Sequence, residues 1–286
     1  MIQRRITAND AEYPHLLRET QGHPQALYLS GKPLDAAPAV AIVGTRRASQ
    51  YGLESASWLA RELAASGITI VSGMASGIDS AAHRGALESG GHTIAVLGSG
   101  LDICFPRGNR GLYEQIAELG TLVSEYSPGT PVLRHQFPER NRIIAGMALG
   151  TVIVEARPKG GALITARLSM EFSRDVFAVP GAIHSPCSWG SHALIRDGAR
   201  LVTSADEVLE DLGMLRSPPG PGQTLDLDPD EARVMSALQP EPLILDQVAR
   251  RSKMPVPTAI SVLVRLEVKG LASRHPGGRY ALPVGK

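Results

Sequence analysis

The sequence predicts an α/β protein: a doubly wound, extended Rossmann-like parallel sheet followed by a small C-terminal winged helix-turn-helix domain. Three observations predict it. Short, nearly continuous apolar runs rich in β-branched residues recur at 40–43, 68–71, 93–97, 122–123, 151–154 and 176–179. Helical patterns over 53–65, 78–87, 112–119, 142–149 and 163–172 separate them, and buried strands alternating with helices mark a parallel sheet covered on both faces. A proline- and glycine-rich stretch at 213–224 (GMLRSPPGPGQT) has no periodicity and reads as a linker to a differently patterned tail.

In chain order, residues 1–38 read as irregular. Tyr13-Pro14, Pro24, Pro33 and Pro38 interrupt helical patterns, and one short amphipathic piece spans 15–18. This segment is expected to pack as a small leader on the main domain. From Val40 the α/β alternation is regular, and right-handed crossovers wind the helices onto both faces. The piece over 193–212 completes the sheet edge, so the Rossmann-like domain spans 39–212. In the tail, 225–286, Asp228 and Pro229 form a start signal for a helix over 230–238. Two more helices follow over 245–251 and 257–269, with Ile260, Leu263 and Val264 at helical spacing, and Gly277-Gly278 turns between two short strand-like runs. Three helices and a β-hairpin is the winged-helix plan. From Ile244 onward, eight basic residues (Arg250, Arg251, Lys253, Arg265, Lys269, Arg274, Arg279 and Lys286) stand against Asp246 and Glu267. That excess suits a nucleic-acid surface such as duplex DNA, although many winged helices mediate protein contacts only.

Composition narrows the function classes. A chain of 286 residues with 43% hydrophobic and 20% charged residues has ample core. A net charge of +1 means that any nucleic-acid role must come from local clustering. No apolar run reaches the length of a membrane span, and MIQRRITAND lacks the apolar centre of a signal peptide. Cys104 and Cys187 give neither metal spacing nor a disulfide framework, and the compartment reads as cytoplasmic. Aromatic residues are only 4% of the chain, so base stacking must rest on one or two rings.

Ligands of a doubly wound sheet sit beyond the carboxyl ends of its strands, and the informative residues follow the apolar runs. Gly44, Thr45, Arg46 and Arg47 follow the first run; on their own they fit a plain strand-to-helix turn as well as an anion site. Ser72 and Gly73 open a second glycine-rich turn, and Gly98-Ser99-Gly100 a third. Arg134, Phe137, Arg140, Asn141 and Arg142 precede the fifth run, and Arg157, Lys159, Gly160 and Gly161 follow it. Five loops on one rim, carrying glycines, hydroxyls and seven basic side chains, describe a surface for several phosphates. Phe137 between Arg134 and Arg140 fits a stacking ring as well as a core phenylalanine. Arginines and glycine N–H groups with one ring hold single strands without reading sequence. A dinucleotide site fits poorly, because Ile103 and Pro106 spoil the glycine pattern after Gly98. No Ser/His/Asp or Cys/His set falls on the rim, and the scattered histidines lack metal spacing. No catalytic residue, metal or cofactor is therefore expected.

Long ordered motifs add a resemblance. IVGTRRAS at 42–49, SGMASGIDSAAH at 72–83, FPERNRIIAG at 137–146, GGALITA at 160–166, VPG at 179–181 and LIRDGA at 194–199 together resemble the DprA (Smf) family of DNA-processing proteins. The resemblance runs from Tyr13 through Leu212, and the tail fits the family's winged helix. It implies a non-enzymatic recombination mediator of natural transformation. Such a protein binds single-stranded DNA through the extended Rossmann domain, forms a homodimer, and loads RecA, including onto DNA covered by single-strand-binding protein. Carried over by position, the phosphate pocket uses Gly44, Arg46, Ser72, Gly73, Arg134, Arg140, Asn141 and Arg142, with Phe137 as the ring and N–H groups from Gly160 and Gly161. Gly160-Gly161-Ala162 replaces the family's usual Ser-Gly-Ser, which removes two hydroxyls. The alternative is a nucleotide-cleaving hydrolase related to lysine-decarboxylase-like Rossmann proteins. Pro158-Lys159-Gly160-Gly161 resembles the turn of those enzymes, but Ala162-Leu163-Ile164 lacks the residues expected after it.

Overall fold

The computed structural model describes residues 3–34, 37–214, 228–239, 242–268, 271–275 and 278–281. Residues 3–31 depart from the expectation of an irregular leader. They form β1 (Gln3–Thr7), α1 (His15–Arg18) and β2 (Ala26–Gly31). Both strands join the main sheet antiparallel, β1 on β2 and β2 on β6 (Thr121–Ser124). The reason is a period-two pattern: Leu27 and Leu29 are buried while Ala26 and Tyr28 are only partly so. The prolines lie between these elements rather than inside them, and there they break nothing.

The remaining strands are parallel. β3 (Ala39–Val43), wholly buried, is flanked on one side by β4 (Thr69–Ser72), β5 (Thr93–Leu97) and β6. On its other side lie β7 (Gly150–Ile153), β8 (Asp175–Ala178) and β9 (Arg200–Leu201). The order of the nine-stranded sheet is β1-β2-β6-β5-β4-β3-β7-β8-β9. Chain direction across the sheet therefore reverses between β3 and β7, and that reversal is where such sheets open a crevice.

Apolar residues alternate between two covered faces. Ala41 and Val43 of β3 point to a cluster with Leu17, Ile143, Ile144 and Ala166, whereas Val40 and Ile42 point to Leu59, Leu63, Ile78 and Phe177. The first face carries α1, α5 (Gln136–Met147), α6 (Gly161–Glu171) and α7 (Trp189–Arg196). The second carries α2 (Gln50–Ala65), α3 (Ile78–Glu88) and α8 (Ala205–Asp211), with α4 (Arg110–Leu119) covering the sheet beside α3. α5 starts six residues before the predicted helix at 142. Pro138 falls in its first turn, where a missing N–H leaves no intrahelical bond unmade.

The chain divides into two compact units, Met1–Arg216 and Ser217–Lys286. The expected linker at 213–224 lies, from 215 onward, outside the described residues, as does Gly277 of the predicted turn. The second unit contains α9 (Pro229–Ala237), β10 (Leu243–Ile244), α10 (Leu245–Ser252), α11 (Val256–Val268), β11 (Ser273–His275) and β12 (Arg279–Ala281). Its strands run in the order β10-β12-β11, and Val234, Val248, Val262, Leu263 and Leu266 fill the core. Asp228 and Glu231 close a reciprocal capping box around Pro229 at the start of α9.

α2 and α3 pack closely because small residues face each other: Ala56, Ala60 and Ala64 on one, Ala81, Ala82 and Gly85 on the other, all buried. A β-carbon at Gly85 would run into the Ser57 carbonyl. Gly85→Leu should therefore force the helices apart and cost about 3 kcal/mol, read as a lower denaturation midpoint in urea.

Candidate nucleic-acid interface

A cleft of about 750 Å³ opens at the β3/β7 reversal. The turn after β3 and the loop after β7 form two of its walls, and α5 forms a third. α5 contributes Phe137, Arg140, Asn141 and Ile144, a spacing that puts all four on one helix face. Arg142, two residues on from Arg140, is carried to another face and does not line the cleft. Its guanidinium pairs with Glu125 at 2.6 Å and 2.7 Å.

The floor holds two buried, opposite charges, Arg140 and Asp79. Arg140 is 4% exposed; its Nη1 donates to the Gly73 carbonyl at 2.6 Å and to the Val96 carbonyl. Its guanidinium lies where a side chain at residue 73 would sit: a β-carbon on Gly73 would be 2.6 Å from Nη2. Asp79, 6% exposed, faces it and accepts backbone N–H groups from Ala75, Gly44 and Gly73. Burial pushes the Asp79 carboxyl up, against the pull of Arg140 and of these N–H groups. Burial likewise brings Arg140 down to about 10, so it stays charged at neutral pH. His83, on α3, is buried against the Thr93 hydroxyl at 2.7 Å, and burial takes it down to about 3. A neutral, enclosed imidazole of this kind does not serve the cleft as a base.

The walls carry the free charge. Arg46 and Arg47, next to each other, line the cleft with Arg134 and Arg157, and all four are exposed. Arg46 lies over the Phe137 ring, 5.0 Å from its centroid. Phe137 in turn meets Phe105, ring centroids 5.6 Å apart at 37°. Phe137 is thus a half-buried ring at the cleft wall and not a core phenylalanine.

Backbone N–H groups behave differently from the sequence expectation. In the first turn the Gly44 N–H points at Asp79, the Thr45 N–H bonds the Glu155 carbonyl at 2.8 Å, and the Arg47 N–H bonds the Thr45 hydroxyl at 3.2 Å. At the start of α2, the buried Glu155 carboxylate accepts from the Ser49 N–H at 2.9 Å and from its hydroxyl at 2.6 Å. The anion positions of the first two turns are thus filled by the protein's own Glu155 and Asp79. α6 is different. Its N-cap, Gly160, has no side chain to cap it, and the helix opens at Gly160, Gly161 and Ala162 on the cleft.

Of the residues expected from sequence, the cleft gathers Gly44, Thr45, Arg46, Arg47, Arg134, Phe137, Arg140, Asn141, Gly160 and Gly161. Four do not line it. Ser72 is buried and its hydroxyl bonds the Ile42 carbonyl at 2.6 Å, Gly73 lies beneath Arg140, Arg142 pairs with Glu125, and Lys159 stands outside on a left-handed turn at φ +62°. Arg157, expected as one of the basic rim residues, also lines the cleft, and Asp79 is the addition. It sits one residue into α3, just past a glycine-rich turn, which is the positional signal that could have marked it.

In the second unit, α11 carries one exposed apolar stripe among the exposed polar residues Thr258, Ser261, Arg265 and Glu267. Val256, Ile260 and Val264 are exposed at a spacing of four, and Arg265 is held by Asp228 at 3.2 Å and Glu231 at 3.8 Å. Arg250, Arg251 and Lys253 are exposed around the end of α10. Among the described residues, no group of three or more His, Cys, Asp or Glu side chains could hold a metal ion, and no helix is long and apolar enough to cross a membrane.

Comparison with known proteins fits this architecture. Residues 4–213 match the model of the DNA recombination-mediator protein A family, and 218–278 that of the DprA winged helix domain. The chain belongs to the DNA recombination-mediator protein A family. Protein Smf of Escherichia coli is 40% identical over 97% of this chain and 77% of its own length. The DprA structure from Streptococcus pneumoniae superposes with a TM-score of 0.70 at 44% identity, covering 73% of this chain and 74% of that one. DNA processing protein A of Helicobacter pylori, solved to explain its single-stranded DNA binding mode, gives 0.67 at 30% identity over 73% of this chain and 95% of that one. The family's Rossmann-like domain and winged helix are both present here.

Two outcomes follow from the floor. Arg140→Ala leaves the Gly73 and Val96 carbonyls without their donor and removes the nearby positive charge from buried Asp79, and should cost roughly 2–6 kcal/mol of stability. Arg46→Ala, at an exposed position, should leave the melting temperature unchanged, and calorimetry distinguishes the two. The second concerns His83. Because its folded value lies below the ordinary one, the unfolded chain takes up a proton first as pH falls. Stability is then lost between about pH 6.5 and 3, by up to about 1.4 kcal/mol per pH unit. His83→Gln should flatten that part of the urea-midpoint profile relative to the parent.

Proposed function

We propose that this chain holds single-stranded DNA in the cleft without reading its sequence, as a recombination mediator and not as an enzyme. The observation that carries the reading is the charge layout. Exposed Arg46, Arg47, Arg134 and Arg157 surround a half-buried Phe137, and the capless start of α6 opens beside them. Arginines around a ring suit a backbone with intermittently stacked bases. The expected contacts from Ser72, Gly73, Arg142 and Lys159 become indirect in this reading. Gly73 supports Arg140, which shapes the floor, and the others take no part in the cleft wall.

The H. pylori relative's reported single-stranded DNA binding supports the ligand class. The family's description as a recombination mediator supports the further step, in which the bound strand is handed to RecA, including from single-strand-binding protein, by a homodimer acting in the cytoplasm. Among the described residues, Arg250, Arg251, Lys253, Arg265 and Arg279 offer exposed positive charge for any duplex contact by the winged helix, while the expected Lys269 and Lys286 lie outside the described residues.

The test is binding of labelled oligonucleotides against salt. Four phosphate contacts give a log–log slope of about −2.8, hence roughly a 50-fold loss for a four-fold rise in salt. Arg46→Ala should weaken all sequences alike and reduce the slope by about 0.7. Binding by Arg46→Ala equal to that of the parent would show that the cleft is not the site.

A further inference from the structure

One feature of the larger unit is not used by the cleft. Three large apolar side chains stand in the open beside it: Tyr51 at 48% exposure, Trp189 at 49% and Ile183 at 74%. They belong to the first turn of α2, the first residue of α7 and the loop between β8 and α7. Each ring has its polar atom tied to that loop. The Tyr51 hydroxyl donates to the Pro180 carbonyl at 2.7 Å, and the Trp189 indole N–H donates to the Ile183 carbonyl at 3.2 Å. The loop is fixed from a third side, with the His192 ring 3.0 Å from the Gly181 carbonyl oxygen. Both rings are thus held by their edges while much of their surface faces solvent.

This shelf is continuous with the arginine wall. Cys187, in the same loop, is 9% exposed, and its Sγ lies 3.7 Å from the Arg47 carbonyl and 3.8 Å from Arg157 Nη2. The loop bearing Ile183 and leading into Trp189 therefore abuts the backbone of one cleft arginine and the guanidinium of another. The cations alongside are Arg47 and Arg157; Glu54, the next carboxylate along α2, is engaged by Gln50 at 2.7 Å.

We propose that Tyr51 and Trp189 form a second stacking station, where bases of a single strand continue beyond the Phe137 cleft. This rests on the reading of the cleft as a single-strand site. The occupant fits three properties of the shelf. Edge-anchored rings present faces that any base can stack on, so the station is indifferent to sequence. Arg47 and Arg157 belong to the cleft wall that the shelf's loop abuts, where phosphates passing from cleft to shelf would run. A ring already fixed by the protein loses little freedom when a base covers it.

The test compares the full chain and its variants on fluorescein-labelled oligothymidylates short enough to fill the cleft alone (about four nucleotides) and long enough to pass the shelf (about twelve). Trp189→Leu keeps apolar bulk but removes the ring, and Trp189→Phe restores one. The expected result is a loss on the order of ten-fold for the long strand in Trp189→Leu, recovery in Trp189→Phe, and no change in either variant for the short strand. Tyr51→Leu should repeat the pattern, which keeps the proposal testable if one variant folds poorly. Parent affinity for the long strand in both leucine variants overturns the proposal, as does an equal loss on both lengths. A shift from dimer to monomer by light scattering that accompanies the loss also overturns it, because the rings would then serve a contact between copies. Arg46→Ala is the independent control and should weaken both lengths. If it weakens neither, the cleft reading fails and this extension with it; if it weakens both while the leucine variants change nothing, only the extension fails.

Discussion

The site depends on a guanidinium that a ligand barely reaches. Arg140 donates to carbonyls at the ends of β4 and β5 and faces Asp79 at the start of α3, so one side chain ties two strands and two helices together. A buried charge of this kind is costly unless its partners are in place. Once they are in place, the register of α5 is fixed, and with it the positions of Phe137 and Asn141. The floor therefore orients the wall. Gly73 takes part because no larger residue would leave room for the Arg140 side chain.

The same economy explains why the rim relies on side chains more than on backbone. Two glycine-rich turns of the kind that cradle phosphates elsewhere are present, yet Glu155 and Asp79 occupy them. An internal carboxylate at a helix start gains the dipole and hydrogen-bond stabilisation that a phosphate would otherwise gain. The exposed positive character of the cleft is left to arginines spread along the walls and to the open start of α6. Spread charge suits a ligand with repeated phosphates better than one with a single phosphate group.

Much of the fold was legible in the chain because two-face burial leaves a distinctive pattern: β3 to β8 read as short apolar runs with helices between. β1 and β2 were obscured by prolines that lie in the connections, and their alternation at Leu27 and Leu29 is too short to stand out. The position of the cleft was legible too, because several of its residues follow strands. Which of the motif residues line it was not. Arg140, Asn141 and Arg142 look equivalent in a motif, but a helix turns each by 100° from the last, and only the first two share a face with Phe137. Nor does a glycine turn disclose in sequence that a glutamate more than a hundred residues away fills the helix start beside it.

The contact between Arg46 and Phe137 has an energetic consequence. The ring is already partnered by a cation, 5.0 Å from its centre. On the proposed reading, a base that settles there displaces the guanidinium, which swings toward the neighbouring phosphate as it leaves. Binding at this point is an exchange, in which the lost cation–π contact, worth about 0.5–1 kcal/mol at an exposed site, offsets part of the roughly 1–3 kcal/mol that stacking supplies. A base at this ring would then be held less tightly than at a ring with no cation over it, and the overall hold would grow with the length of strand engaged.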